Sequence, residues 1–400
     1  MHSALRTAGV LLAGLLVFMA CSSGAPAAGP GPAATSASCP DANSPIRVGI
    51  FQALTGANAF IGAPATDAIK MRLDEVNAAG GISGRKVELD VQDERGDPKE
   101  GANLAQRFTS DSSIIAGLGG STSTVVLAAA PIFTGAKTVL VCATCSHPDV
   151  TKNSTYIYRT VNQQAQLAGP YAQFLAERLK AKRIAFLVAA DEFSRSNAEQ
   201  TAAALKAKYP SVQIVLNESV TTDTRDFRPL ITKLQSVNPD MVYMILFPAE
   251  GAAFVKQVRQ SGQNWILDGG PNFNTPVFLE LAGEAGNGVY ARSFFDPTDQ
   301  SAKAKAFIAK YQARYSKTPD QWSAFADDAF MVLVSAIKSA STGKCLTRQG
   351  VADAFATLPA YDGLTGVKKY IPGTGDIEAA APSALVVEKG KYRVLGPNEP

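Results

Sequence analysis

Cys142-Ala143-Thr144-Cys145, with His147 close behind, is the place in this sequence where thiols and an imidazole stand together. A C-x-x-C pair serves zinc binding or thiol exchange when its surroundings supply the remaining groups. Here no second C-x-x-C follows, and His147 is the sole histidine beyond His2. A structural disulfide or inert thiols is the simpler reading, with thiol-redox work as an alternative. Asp93-Glu94 and Asp327-Asp328 are paired carboxylates that could share acid–base chemistry, yet each pair equally suits a solvated strand end or helix. Gly117-Leu118-Gly119-Gly120-Ser121-Thr122 approaches a dinucleotide loop but lacks its third glycine, and no Lys-Ser or Lys-Thr follows as in a phosphate loop. G-x-S-x-G is absent. With no nucleophile and base, no metal set and no cofactor loop, a protein that is not an enzyme is expected.

Hydroxyl-bearing segments offer binding instead. Gly119-Gly120-Ser121-Thr122-Ser123-Thr124 joins a strand to a helix, and Ala143-Thr144-Cys145-Ser146 follows the next strand. Helix N-termini carry unpaired N–H groups and partial positive charge, so the natural guest is a carboxylate or another small anion. Simple capping explains either segment alone. Their place on consecutive strands aims both at one cleft.

The elements that must position them alternate regularly. Ile46–Ile50, Val87–Val91, Ile114–Leu118 and Thr138–Val141 read as strands, with helices between them such as that carrying Ile69, Leu73 and Val76. Asp97-Pro98 opens another helix as N-cap and N1 proline. The alternation restarts after Arg159-Thr160 with strands near Arg183–Val188, Gln213–Leu216, Met241–Leu246 and Trp265–Leu267. Residues 301–356 are mostly helical, and strand character returns at Leu385–Val387 and Tyr392–Leu395. This is an α/β fold of two three-layer (α/β/α) lobes with largely parallel sheets and a ligand cleft beyond the strands' carboxyl ends. Its 400 residues suffice for two such lobes, and 38 basic against 35 acidic residues give a net charge of +3. That balance offers no electrostatic footprint for nucleic acid.

Residues 1–20 carry Arg6 and then an apolar run from Leu11 to Ala20, too short to span a bilayer comfortably. The run ends at Met19-Ala20-Cys21, which is similar to a bacterial lipobox with Phe18 where leucine is usual. A signal peptide over 1–20 and lipidation of Cys21 are expected, with 21–45, rich in Ala, Gly, Pro and Ser, as a flexible tether. An ordinary signal peptide is the alternative. The remaining Cys39, Cys142, Cys145 and Cys345 are even in number, as suits an oxidising compartment, and their pairing stays open.

From Pro45 onward the chain resembles the branched-chain amino-acid-binding (Leu/Ile/Val) family of extracytoplasmic solute receptors of ABC transporters. The resemblance rests on Ala53-Leu54-Thr55-Gly56, on Val76-Asn77-Ala78-Ala79-Gly80-Gly81-Ile82-Ser83-Gly84-Arg85 and on Asp93 through Asp97-Pro98. It continues in the Gly119–Thr124 run with Ala129-Ala130-Pro131-Ile132, and in Leu281-Ala282-Gly283-Glu284-Ala285. It implies a type I periplasmic-binding-protein fold, with two lobes joined by crossovers near 159–162, 290–294 and 365–370. Lobe one then takes 46–160 and 293–366, and lobe two 161–292 and 367–400. It further implies a ligand carboxylate on Ser123 and Ser146, an ammonium on the Thr144 carbonyl, and rings at Phe193 and Phe247 over the side chain. Two matching positions depart: a tyrosine falls at Ile61, beside Phe60, and the acid that balances the ammonium falls at Gly270, with Asp268 two residues away. A buried ammonium without a carboxylate is costly. The expected ligand is therefore a small, largely apolar carboxylate, branched or aromatic, with a hydrophobic amino acid second. The expected partners are an ABC permease and, through the lipid, the membrane. A sensor of the same fold signalling to a membrane protein is the alternative.

Overall fold

The computed structural model describes residues 44–396 and Glu399. The expected leader, Cys21 and nearly all of the tether lie outside the described residues. In chain order the first lobe lays down β1 (Ile46–Gln52), α1 (Ala59–Ala78), β2 (Val87–Asp93), α2 (Pro98–Ser110), β3 (Ile114–Gly119), α3 (Ser123–Gly135), β4 (Val139–Cys142) and β5 (Ile157–Arg159). The chain then crosses to the second lobe. That lobe contains α4 (Gln164–Gln173), β6 (Arg183–Ala189), α5 (Glu192–Lys208), β7 (Gln213–Val220), α6 (Arg228–Val237) and β8 (Met241–Ile245). It continues with α7 (Pro248–Gln260), β9 (Ile266–Asp268), α8 (Pro276–Ala282) and β10 (Tyr290–Ser293). After β10 the chain returns to lobe one for α9 (Ala302–Tyr315), α10 (Gln321–Ser341), α11 (Arg348–Ala356) and the hairpin β11 (Tyr361–Gly363) and β12 (Gly366–Lys368). It ends in lobe two with β13 (Ser383–Glu388) and β14 (Lys391–Val394).

The first sheet has the order β2-β1-β3-β4-β5, all parallel; the second runs β14-β13-β10-β9-β8-β6-β7, parallel except for β13 and β14. Parallel strands are buried on both faces, which is why β4 and β8 read as continuous apolar runs. One face of the first sheet packs on α1, α10 and α11 through Ile69, Phe330, Leu333 and Phe355; the other packs on α2 and α3 through Phe108 and Phe133. In lobe two, Phe227, Phe254 and Phe278 cover one face, and Leu175, Ala198 and Leu205 the other. In each sheet the chain visits one neighbour of its first strand and then the other, β2 then β3, and β7 then β8. That reversal leaves a crevice at the strands' carboxyl ends, where α/β proteins hold ligands.

The third crossing differs from the expected 365–370. Tyr370 stacks edge-on against Tyr158 and Phe355 in lobe one, and the Gly375 carbonyl accepts from the Arg159 N–H at 2.9 Å. The chain stays on lobe one through Gly375, meets Gln163 and Gln166 at the start of α4 with Asp376 and Ile377, and enters lobe two before β13. The strap is held by charge: fully buried Arg159 pairs with Asp376 at 2.8 Å and donates to the carbonyls of Cys145 and His147. Burial pulls its pKa down to about 10.

Candidate functional site

The turn after β3 is made by Gly119 and Gly120, both with positive φ. A Cβ on Gly119 would stand 2.1 Å from the Phe51 carbonyl oxygen, so only glycine lets the chain turn here. Thr122 then caps α3, and the Thr144 hydroxyl, from the loop after β4, donates to the Gly120 and Ser121 carbonyls at 3.1 Å each. A disulfide between Cys142 and Cys145 closes that loop from beneath. Both cysteines are fully buried, so they offer no surface for exchange with another protein's thiols. Cys345 is also disulfide-bonded.

A cavity of about 40 Å³ lies where both lobes and the first two crossings meet. Thr144, Ser146, Trp322 and Phe325 line it from lobe one, and Gln164, Leu167, Tyr171, Phe193, Asn197 and Pro271 from lobe two; Val161, Asn162 and Phe294 come from the crossings. No Lys, Arg, Asp or Glu is among these residues. The space holds a few water-sized guests, well below the ~300–1,000 Å³ of small-molecule pockets. An amino-acid-sized ligand therefore requires the lobes or rings to part.

The lobes are bridged in this conformation. Gln321 donates to the Pro271 carbonyl at 2.6 Å, and the Glu192 N–H donates to Thr124 Oγ1 at 3.2 Å. His147 Nε2 stands 3.9 Å from the Glu192 carboxylate; its Nδ1 accepts from the Asp149 N–H. Burial lowers the His147 pKa, against the pull of Asp149 and Glu192. Phe60 meets Phe247 edge-on across the cleft and also touches Trp322. Outside these rings lies a groove of about 770 Å³ with Asp67, Arg225, Glu250 and Lys317 on its walls.

Of the residues singled out from sequence, Thr144, Ser146 and Phe193 come together on the inner cavity, and Phe247 stands at the outer groove. Ser146 accepts the Gln164 N–H on its carbonyl, while its hydroxyl has no partner among the described residues. The other three are placed elsewhere. Ser123 is buried, and its hydroxyl accepts from the His147 N–H at 3.2 Å. Ile61 points into the core of lobe one, one residue round the helix from Phe60, which takes the cleft face. Asp268 is bound on both oxygens by Arg292, at 3.0 and 2.5 Å, and also accepts the Gly270 N–H; it lines neither the cavity nor the groove and is spent on holding β9 to β10. The paired acids are equally committed: Asp327 to Arg72, Asp328 to Thr365 and Lys368, and Asp93 to the backbone of 54–55 and 95. Glu94, fully buried, accepts from the Ser121 N–H, and burial raises its pKa.

Gln164, Tyr171, Asn197 and Trp322 were not singled out beforehand. Gln164, Asn197 and Trp322 lie within the first two turns of a helix and Tyr171 further along α4, and the signal for them is the crossing of the chain between lobes, which brings the starts of α4, α5 and α10 to one point. Among the described residues no group of three or more His, Cys, Asp or Glu is placed to hold a metal, and no helix is long and apolar enough to cross a membrane.

Comparison with known proteins agrees with this architecture. The family model described as "Periplasmic binding protein" matches residues 45–391. The Leu/Ile/Val-binding protein BraC3 of Rhizobium johnstonii is 28% identical over 363 residues, covering 90% of this chain and 96% of that protein. The branched-chain amino acid transporter substrate binding protein LivJ from Streptococcus pneumoniae, solved with isoleucine, superposes with a TM-score of 0.80 at 25% identity, over 88% of this chain and all of that one. A solute binding protein of an ABC transporter from Rhodopseudomonas palustris, solved with 3,4-dihydroxybenzoic acid, shares the fold with a TM-score of 0.77 at 22% identity, over 87% of this chain and 95% of that one.

Proposed function

Because the chain belongs to the periplasmic binding protein family, we propose that it is the extracytoplasmic solute receptor of an ABC importer. It takes a small apolar carboxylate, or a hydrophobic amino acid, between its lobes and is held to the membrane by lipid on Cys21. The observation that carries this reading is the interlobe cavity, walled by aromatic rings and neutral hydrogen-bonding groups without a charged side chain. Ser146 and the starts of α4, α5 and α10 hold the anionic head, and Phe193, Phe294, Trp322 and Phe325 cover the apolar body. Ligand touching both lobes favours the shut form over the open one, and the shut form is what a permease reads. The names of BraC3 and LivJ support the hydrophobic amino acid.

A thermal-shift screen against hydrophobic amino acids, branched acids and aromatic acids tests the reading. A true ligand at 100 times its Kd stabilises by about 2.7 kcal/mol, a shift easily measured. No shift with any of them removes the receptor assignment. Cys21→Ser is expected to move the protein from the membrane to the soluble fraction of its cells; unchanged partitioning removes the anchor.

A further inference from the structure

We infer that the ligand's second polar group is a neutral hydroxyl, so that the cavity selects hydroxylated monocarboxylates over the matching amino acids; this rests on the receptor reading above. Two side chains on the cavity each hold a fully buried polar atom that has no hydrogen-bond partner among the described residues. Gln164, the first residue of α4, is 2% exposed, and its Oε1 is unpaired. Its Nε2 donates to the Phe193 carbonyl at 2.7 Å. That bond fixes the amide's orientation, because the flipped form would set two oxygens face to face. Trp322, the second residue of α10, is 5% exposed, and its Nε1–H is likewise unpaired.

Orphaned buried polar groups are rare and destabilising, and a guest that pairs both removes the penalty. An indole N–H only donates, so it meets a ligand oxygen; the amide oxygen only accepts, so it meets a ligand O–H or N–H. Charge decides between the two. The cavity lining has no carboxylate, and Asp268 is consumed by Arg292. An ammonium would be buried against neutral oxygens with no carboxylate of the protein to balance it, a desolvation cost that a hydroxyl avoids. The ligand's carboxylate meets no such difficulty, since Gln164, Phe193 and Trp322 all sit in the first turns of their helices, where partial positive charge lies.

Calorimetric titration of the whole protein with two matched triads tests this. One is 2-hydroxy-4-methylpentanoate, leucine and 4-methylpentanoate; the other is 3-phenyllactate, phenylalanine and 3-phenylpropanoate. In the triad that fits, the hydroxy acid is expected to bind at least about tenfold tighter than the amino acid, and about tenfold tighter than the deoxy acid. Gln164→Met abolishes the hydroxyl advantage, read as the ratio of the hydroxy acid's affinity to the deoxy acid's within the same variant, and Trp322→Phe weakens all three members alike. An amino acid that equals or beats its hydroxy counterpart overturns the inference and leaves the receptor reading intact. Silence from all six compounds overturns both, and a full hydroxyl advantage in Gln164→Met overturns the role of Gln164. The wild-type ranking needs no variant to fold.

Discussion

Ser146 and Ser123 carry the same hydroxyl but do different work. Ser146 presents its own to the cavity, whereas Ser123 spends its on the buried N–H of His147. Ser146→Ala should therefore weaken binding of a carboxylate by roughly 10- to 100-fold, the worth of a hydrogen bond to a charged group, with little change in melting temperature. Ser123→Ala should do the reverse: affinity stays within about threefold, and stability falls by about 1–3 kcal/mol because a buried donor is orphaned. Titration calorimetry and thermal unfolding of the two variants separate these outcomes. The sequence could show that hydroxyls cluster after β3 and β4, since residue type and strand spacing are enough for that. It could not show which hydroxyl is spent, because the His147 N–H that claims Ser123 comes from a loop 24 residues on. Asp268 is the same lesson: its partner Arg292 belongs to the neighbouring strand, and only pairing in the sheet brings them together.

Most strands were legible because a continuous apolar run bounded by turns is what a parallel strand needs. β5 and β10 were not. Each is short, and each ends in an arginine (Arg159) or an arginine and a serine (Arg292-Ser293) that tertiary partners bury. The late third crossing escaped for a related reason, since the strap at 370–377 holds lobe one by an ion pair and stacked rings, not by a periodic pattern. Asp376→Ala tests that strap. It leaves the Arg159 guanidinium buried with only carbonyls and a hydroxyl, and a loss of about 3 kcal/mol in unfolding free energy is expected from chemical denaturation. Retained stability in Asp376→Ala would mean the strap is fastened by its apolar contacts alone.

At the scale of the molecule, His147 of lobe one stands buried, 3.9 Å from Glu192 of lobe two, in the bridged conformation. The sign follows from the lowered pKa: the closed form prefers the neutral imidazole, so it is fully stable above the usual 6.5 and weakens as pH falls through the depressed value. Asp149 and Glu192 oppose that loss, while Arg195 and Arg159 add to it. Ligand affinity should thus be level from pH 7 to 8 and fall toward pH 5, and His147→Gln should flatten the curve; a wild-type profile level to pH 5 contradicts the assignment. The two-lobed plan was readable from the restart of the strand–helix alternation after Arg159. The small, uncharged interior was not, because it is assembled from the starts of helices far apart in sequence.

The last strands laid down carry one more implication, for the order in which the protein is made. β13 pairs with β10, and β14 with β13, so the second sheet is unfinished until residues 383–394 have been synthesised. A nascent chain halted before Ser383 would display β10 with its outer hydrogen-bonding edge bare, an invitation to intermolecular pairing. Lobe two cannot complete its sheet early: its folding waits on strands made long after β10.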